Sequence, residues 1–365
     1  YGLPLLLRHR MCQIGGDSDQ SQREGVDMKI TRIGLDLAKD VFQVFGVNRQ
    51  GKQVICKQLN RKQVLIFFAQ QAPCLVGMEA CGGAHYWARE LQKLGHDARL
   101  MAAQFVIPYR KNGKNDANDA QAICEAVGRP NMRFVPVKSV EQQAALSVHR
   151  VRQLRVGERT ALVNQVRGLL TEYGIVVAKS TARIRRALPE ILEDAENGLP
   201  DLAREVFAEL RDRLVELDRQ IGKHDRRIQR LAEHNPAAQR IMQLEGIGPV
   251  TATAIVAAVG DGTCFKNGRQ FSAWLGLTPR QHSTGGRSRL GGISKRGDVY
   301  LRTLLIHGAR SVLRQTARHT DAKSTWAEAV KARRGNNVAA CALAAKHARM
   351  IWAMLARDQA YRRAA

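Results

Sequence analysis

The chain has 365 residues, enough for about two or three domains, and its hydrophobic fraction of 44% is ordinary for a globular protein. Lysine and arginine number 58 against 33 aspartate and glutamate, which gives a formal net charge of +25. This excess of positive charge predicts a polyanionic partner, and nucleic acid is the leading candidate. The basic residues are spread along the chain and the hydrophobic runs are short, which excludes a disordered basic tail and argues against a membrane span.

The N-terminal segment and the cysteines are two further informative features of the sequence. Residues 1–27 show no periodicity and are predicted to be a disordered extension, with Met28 as the natural start. Seven cysteines form neither a CxxC pair nor a cluster with zinc spacing. We therefore expect reduced thiols in a cytoplasmic protein.

Residues 28–140 predict an α/β domain with the element order βββαβαβα. The segment KITRIGLDLA alternates as a strand does, and VFQVFGVNR and KQVICKQL follow as two further strands. A helix, the buried strand CLVGME, a second helix, the strand ARLM and a helix from Asp116 complete the order. This order is that of the ribonuclease H or RuvC-like fold.

Four carboxylates occupy telling positions in this order. Asp36 lies in the first strand, Glu79 ends the fourth, and Asp116 and Asp119 share the first turn of the last helix. Residues spaced i and i+3 lie on one helical face, so both aspartates can point at the same spot. The pattern predicts an oxygen-lined pocket for a hard cation, because clustered carboxylates repel unless a cation is present. The alternative is that Asp116 merely caps the helix, with Asp119 solvated and Asp36 in a turn.

The motifs GLDLAKD, GMEACGG and KNDANDA resemble the DEDD motifs of the insertion sequence 110 family of transposases, in its 1111-like subgroup, a family of RuvC-like recombinases that includes the pilin-gene invertases. The resemblance covers most of the chain, about 29–350. It implies a Mg²⁺ site made by Asp36, Glu79, Asp116 and Asp119, with Mn²⁺ as the other candidate ion. It further implies a structured noncoding bridge RNA as guide, double-stranded DNA at the element ends and target as substrate, and a bacterial, nucleoid-associated location.

Residues 141–235 predict long basic helices. Their arginines are spaced for phosphate contacts through the bidentate guanidinium fork, or alternatively form local ion pairs on a solvated face. The candidates are Arg150, Arg152, Arg155, Arg159, Arg183, Arg185 and Arg186.

Apolar residues between Phe207 and Leu231 follow alternating a and d positions of a heptad repeat for more than three heptads. This seam predicts a coiled coil, either an antiparallel pair within the chain or a contact between subunits. The family resemblance, which implies dimers or tetramers, favours the subunit contact.

Residues 236–355 predict a mostly helical C-terminal domain. The segment IMQLEGIGPVTATAIVAAVGD has the layout of a helix-hairpin-helix, in which Gly246 and Gly248 let the backbone approach a phosphate. A plain helical hairpin is the alternative.

After Pro279 the chain is rich in glycines, hydroxyls and cations, as a phosphate-binding loop is. Candidate contacts to nucleic acid are Arg287, Arg289, Lys295, Arg296 and Arg302. Cations around a hydroxyl would stabilise the charge that develops during phosphoryl transfer. The family resemblance implies a serine nucleophile that joins DNA through a 5′-phosphoserine, and Ser283 is the first choice, with Thr284 and then Ser294 as alternatives.

Three functions are compatible with the sequence. The first is a transposase or site-specific recombinase that acts through a serine-linked intermediate and a metal-bound DEDD site. The second is a RuvC-like nuclease or junction resolvase in which water cleaves DNA. The third is a nucleic-acid-binding protein without catalysis.

Overall fold

The computed structural model describes residues 29–361 except Asn112 and Lys114. The predicted N-terminal extension, 1–27, lies outside the described residues. The chain divides into two compact units, the first ending at Arg133 and the second beginning at Phe134.

The first unit has the predicted order of strands and helices. A short helix and a single 3₁₀ turn, Ile107–Tyr109, are added between the last strand and the last helix. The elements are β1 Arg32–Asp36, β2 Val41–Val47, β3 Gln53–Asn60, α1 Gln63–Ala69, β4 Leu75–Glu79, α2 Ala84–Lys93, β5 Asp97–Met101, α3 Ala103–Val106 and α4 Asp116–Val127.

The strands of the first unit lie in the order β3-β2-β1-β4-β5. β1 is antiparallel to β2 and parallel to β4, and β4 is parallel to β5. Alternating apolar side chains on these strands fill the core with Ile33, Leu35, Val76, Met78 and Leu100, each 0% exposed. The carboxyl ends of β1, β4 and β5 therefore meet at one edge of the sheet.

Two glycines let α4 lie directly on this sheet. Gly34 on β1 and Gly77 on β4 are paired in register. A β-carbon at Gly34 would lie 2.1 Å from the carbonyl oxygen of Ala120, and one at Gly77 would lie 2.7 Å from the side chain of Val127. No side chain fits between sheet and helix at these points, so the glycines fix how closely α4 approaches the two strands.

Gly34→Ala is expected to destabilise the protein by about 2–4 kcal/mol, because the new methyl group must push α4 away from β1. Gly82→Ala is the matched control, since a β-carbon there meets no atom within 4 Å. Urea denaturation of both variants measures the difference. Equal midpoints would contradict the close approach of α4.

The second unit is mostly helical. Its elements are a two-residue strand β6 Phe134–Val135, α5 Val140–Glu172, α6 Thr181–Glu193, α7 Asp201–Glu233, α8 Pro236–Met242, α9 Pro249–Val259, α10 Gly268–Trp274, β7 Pro279–Thr284, β8 Arg287–Ile293, α11 Val299–Leu313, a 3₁₀ turn Thr316–Arg318, α12 Ala322–Arg334 and α13 Asn336–Ala356.

The heptad seam of α7 packs against helices of its own chain. Phe207, Leu214 and Leu217 are at most 2% exposed and share a cluster with side chains of α5 and α6. Arg152 of α5 pairs with Asp225 of α7, and Arg159 pairs with Asp218, so the two helices run antiparallel. The structure thus has the antiparallel arrangement within the chain. These side chains are already covered by α5 and α6, so the structure does not show the predicted contact between subunits through them.

The helices α8 to α13 enclose one apolar core, with α13 at its centre. α13 is long and apolar enough to cross a membrane by length and composition, but half of the stretch that meets this criterion is buried inside the protein. Leu343, Ala344, Ala348 and Ile351 are all 0% exposed. Its apolar character is therefore that of a core helix.

Two buried histidines are held neutral in this unit. His149 on α5 lies within hydrogen-bonding distance of the Tyr300 hydroxyl at 3.1 Å and the Thr253 hydroxyl at 3.0 Å. Burial, then the charge of Arg152, lowers its pKa to about 4. His347 on α13 is 0% exposed, and burial followed by the nearby charge of Lys323 lowers its pKa to about 3.

Acid should destabilise the protein through these histidines. Their folded-state pKa values lie below the unfolded value, so the unfolded chain binds more protons and stability falls as the pH drops from about 6.5 to about 4. His347→Leu should retain on the order of 2 kcal/mol more stability at pH 4 than the wild type, relative to pH 7. Urea titrations across this range test it, with exposed His319→Leu as control. An unchanged pH dependence in His347→Leu would contradict the account.

Candidate active site

The carboxyl ends of two adjacent parallel strands carry the first pair of acids. Leu35 of β1 is in register with Met78 of β4, so the next residues, Asp36 and Glu79, emerge side by side at the same edge. Both side chains are partly buried. Each follows the motif glycine, large apolar residue, acid, in which the glycine admits α4 and the apolar residue faces the core.

The first turn of α4 brings the second pair of acids to this edge. Asn115 caps the helix, its side-chain oxygen accepting a hydrogen bond from the Asn118 amide at 2.7 Å. Asp116 is exposed, whereas the Asp119 side chain is only 14% exposed. An acid in the first turn is also favoured by the positive end of the helix dipole. The predicted grouping of strand-end and helix-borne acids is therefore present.

The four acids interact electrostatically. The pKa of Asp36 is raised to about 6, first by burial and then by the charges of Asp119, Glu79 and Asp116, in that order. A hydrogen bond from the Leu37 amide opposes this shift. A carboxyl group at this position is costly to ionise unless positive charge arrives.

Arg110 supplies positive charge to two of the acids. Its Nη2 lies 3.3 Å from Oε1 of Glu79, and its Nε lies 2.9 Å from Oδ1 of Asp119. Among the described residues, no three acids, cysteines or histidines converge as a closed metal cage. The Arg110 guanidinium group therefore lies between Glu79 and Asp119, and Asp116 faces solvent.

The acids nevertheless fit a hard divalent cation by their chemistry. Every donor is a carboxylate oxygen, which Mg²⁺ and Mn²⁺ prefer. The pKa of Asp36 is raised by burial and then by the three neighbouring carboxylates, and the contacts of Arg110 show that the cluster attracts a cation. Asp36, Glu79 and Asp119 are the partly buried members that would hold such an ion, with Asp116 at the rim.

Asp36→Asn should stabilise the protein by about 1–2 kcal/mol at pH 7.5 in EDTA, a value discounted for partial exposure. The folded-state pKa is raised, so the cost of ionised Asp36 appears as the pH rises from about 4 through 6 and the gain should vanish near pH 4. Thermal melts measure this, with exposed Asp40→Asn as control. A gain that is equal at both pH values would contradict the electrostatic origin.

The hydroxyl candidates lie on an exposed β-hairpin, where a phosphate-binding loop was expected. β7 and β8 are joined by Gly285 and Gly286, both with positive φ, as a tight two-residue turn requires. Ser283 pairs with Ser288 across the strands, and Thr284 pairs with Arg287. The glycines serve the turn, and both hydroxyls are exposed.

The pleat separates the two hydroxyls onto opposite faces of this hairpin. Ser283 shares its face with Gln281, whose amide donates a hydrogen bond to the Ser283 hydroxyl at 2.7 Å. Thr284 shares the other face with His282, and the cross-strand pairs place Arg287 and Arg289 there too. Adjacent His282 and Ser283 therefore diverge.

Several of the predicted phosphate-binding arginines are engaged within the chain. Arg152 and Arg159 pair with α7, Arg155 pairs with Glu158, and Arg185 pairs with Asp218. The alternative of local ion pairs therefore holds for these four. Arg150, Arg183 and Arg186 are exposed and belong to none of the ion pairs found in the described part of the chain.

Arg302 is a structural residue and not a surface contact. It is 7% exposed, and its Nη1 donates hydrogen bonds to the carbonyl oxygens of Leu275 at 3.1 Å and Arg296 at 3.3 Å. It thereby anchors the turn that carries Lys295 and Arg296, which are both exposed. The prediction that Arg302 binds nucleic acid is wrong, because a basic residue in a polar segment gave no sign of its burial.

Gly246 also has a packing role. It has φ +80°, and a β-carbon there would lie 2.6 Å from the carbonyl oxygen of Gly308 on α11. The approach that Gly246 permits is to this helix and not to a phosphate. Gly248 is exposed at the start of α9, and a β-carbon there would meet no atom within 4 Å, so it keeps the predicted access.

Comparison with known proteins agrees with the geometry. A family model described as a transposase with a DEDD domain matches residues 33–175, and one described as "Transposase IS116/IS110/IS902 family" matches 238–324. The chain is 55% identical to a probable family 20 transposase of Pseudomonas aeruginosa, covering 92% of this chain and 99% of the relative. It is 45% identical to the transposase for insertion sequence element IS1111A of Coxiella burnetii, covering 93% of each.

The fold, the acids and these matches define a DNA transposase. The chain belongs to the IS110 family of insertion-sequence transposases. The DEDD domain indicates use of a divalent metal ion and binding of DNA.

Proposed function

We propose that this transposase cuts and rejoins DNA through a covalent link to a hydroxyl of the β7–β8 hairpin, acting with a Mg²⁺ site at Asp36, Glu79, Asp116 and Asp119. The observation that carries the proposal is the gathering of these acids at one sheet edge, with Asp36 held at a raised pKa of about 6. The strand order β3-β2-β1-β4-β5, antiparallel then parallel, supports a RuvC-like fold for the first unit.

The residues have separate tasks in this mechanism. Bound Mg²⁺ would supply Lewis-acid stabilisation of charge on phosphate oxygens. The carboxylates of Asp36, Glu79 and Asp119 would hold it and fix its position. The partly exposed rim, including Asp116, leaves the site open to a DNA strand.

The covalent step conserves the energy of the phosphodiester bond. The hydroxyl oxygen attacks phosphorus, a new ester forms to the 5′-phosphate, and the bond to the 3′ oxygen breaks. The hydroxyl loses its proton and the departing 3′ oxygen gains one. The reverse reaction with a different 3′ hydroxyl joins new strands.

Ser283 is the proposed nucleophile, and its hydroxyl is exposed with a hydrogen bond from Gln281. The hairpin also favours Thr284 on one count, because Arg287 and Arg289 share its face and could neutralise a phosphate there. The two residues are therefore tested side by side.

Nucleic acid would be held by the exposed cations. Arg150, Arg183, Arg186, Arg287, Arg289, Lys295 and Arg296 are candidates for phosphate contacts, together with the backbone at Gly248. A structured noncoding guide RNA would choose the DNA target by base pairing. Assembly as a dimer or tetramer would let the acids of one subunit act with the hairpin of another, through surfaces other than the covered α7 seam.

Trapping of covalent protein–DNA adducts tests the function. With Mg²⁺, guide RNA and element-end DNA, the wild type should form an adduct that survives denaturation, and Ser283→Ala should abolish it. Ser288→Ala, on the same face and opposite Ser283, is the matched control and should retain it.

Other outcomes of this trapping experiment separate the alternatives. Loss of the adduct in Thr284→Val but not in Ser283→Ala would move the nucleophile to Thr284. Cleavage without an adduct in the wild type would indicate a nuclease or junction resolvase. Binding without cleavage would indicate a non-catalytic nucleic-acid-binding protein.

A further inference from the structure

Arg110 is a basic residue that lies within the acid cluster. It follows the 3₁₀ turn Ile107–Tyr109 and precedes α4, and its guanidinium group reaches back between β4 and α4. There it contacts Glu79 and Asp119 together, at 3.3 and 2.9 Å. Its extended backbone, with φ −69° and ψ 133°, is unstrained.

These two contacts use the oxygens that a metal ion needs. Glu79 is 18% exposed and Asp119 is 14% exposed, so few other orientations are open to their carboxylates. A divalent ion binds carboxylate oxygens at about 2.0–2.1 Å for Mg²⁺, well inside the distance of a guanidinium contact. Arg110 and the ion therefore compete for the same oxygens, sterically and by charge.

Displacement of Arg110 needs another anion for its guanidinium. The side chain is 36% exposed, so it borders solvent and can turn outward. Lys111, the next residue in the chain, is exposed as well. A phosphodiester is the anion that a planar guanidinium binds best in two-pronged geometry.

We propose that Arg110 is a positioning residue that holds Glu79 and Asp119 in the absence of nucleic acid and yields them to the metal ion when a phosphate of the bound strand draws it away. This inference rests on the proposed metal site. Its consequence is that metal loading follows strand binding, so that free transposase is kept from nicking DNA that is not correctly placed. By linkage, nucleic acid and metal strengthen each other's binding.

Calorimetric titration of the full chain with Mn²⁺ tests the proposal, first without nucleic acid. Arg110→Gln should bind Mn²⁺ roughly three- to tenfold more tightly than the wild type, because a competing charge is removed while the side chain stays long. Arg99→Gln is the matched control, since Arg99 lies in the same unit and pairs with Asp97, outside the acid cluster. Arg110→Lys should bind Mn²⁺ with an affinity between those of the wild type and Arg110→Gln.

The same titration in the presence of a short DNA duplex completes the test. Duplex should tighten Mn²⁺ binding to the wild type and to Arg99→Gln, and should have little effect in Arg110→Gln, where no competitor remains to be removed. Equal or weaker Mn²⁺ binding by Arg110→Gln without DNA would overturn the proposal and make Arg110 a simple structural ion pair.

Failure of the underlying metal site has a different signature. If the wild type, Arg110→Gln and Asp36→Asn all bind Mn²⁺ equally or not at all, the acids are not the site and the proposed function fails with the inference. If Asp36→Asn alone loses binding while Arg110→Gln matches the wild type, the site stands and only the role of Arg110 is lost. A thermal melt of each variant in EDTA verifies that it is folded.

Discussion

The close packing of α4 on β1 and β4 is the constraint from which the acid cluster follows. Because Gly34 and Gly77 carry no side chains, the helix rests on the strand backbones, and its first turn is held at the edge where both strands end. Four carboxylates are thereby brought together, and burial followed by their mutual repulsion raises the pKa of Asp36. A cation bound at this edge would relieve the repulsion, which is why we propose the metal site here.

Much of this arrangement could be predicted from the sequence, and particular residues show why the rest could not. Strand alternation and the i, i+3 spacing of Asp116 and Asp119 are local patterns, and they located the acids correctly. Arg110 lies in an irregular segment without periodicity, so its contacts depend on tertiary structure alone. The glycine two residues before each strand-end acid was a readable signal of helix packing that the sequence interpretation missed.

In the helical second unit, too, the contacts of several charged and small residues depend on tertiary packing that the sequence did not reveal. A high density of arginine predicted phosphate contacts, but Arg152 and Arg159 are paired with acids of α7, because the two helices run antiparallel at matching heights. Arg302 and Gly246 were expected at the surface and instead fix close backbone contacts. Periodicity shows that a face is buried, as along α7, but not which partner covers it. Fewer cations are therefore exposed as candidates for phosphate contacts than the composition suggested.

The central claim, that the strand-end and helix-borne acids form one divalent metal site, is tested most directly by anomalous X-ray diffraction from crystals containing Mn²⁺ and bound DNA. The account predicts an anomalous peak ligated by Asp36, Glu79 and Asp119, with the Arg110 side chain turned away from both acids. A peak elsewhere in the chain, or none at this edge with Arg110 still joined to Glu79 and Asp119, would contradict it.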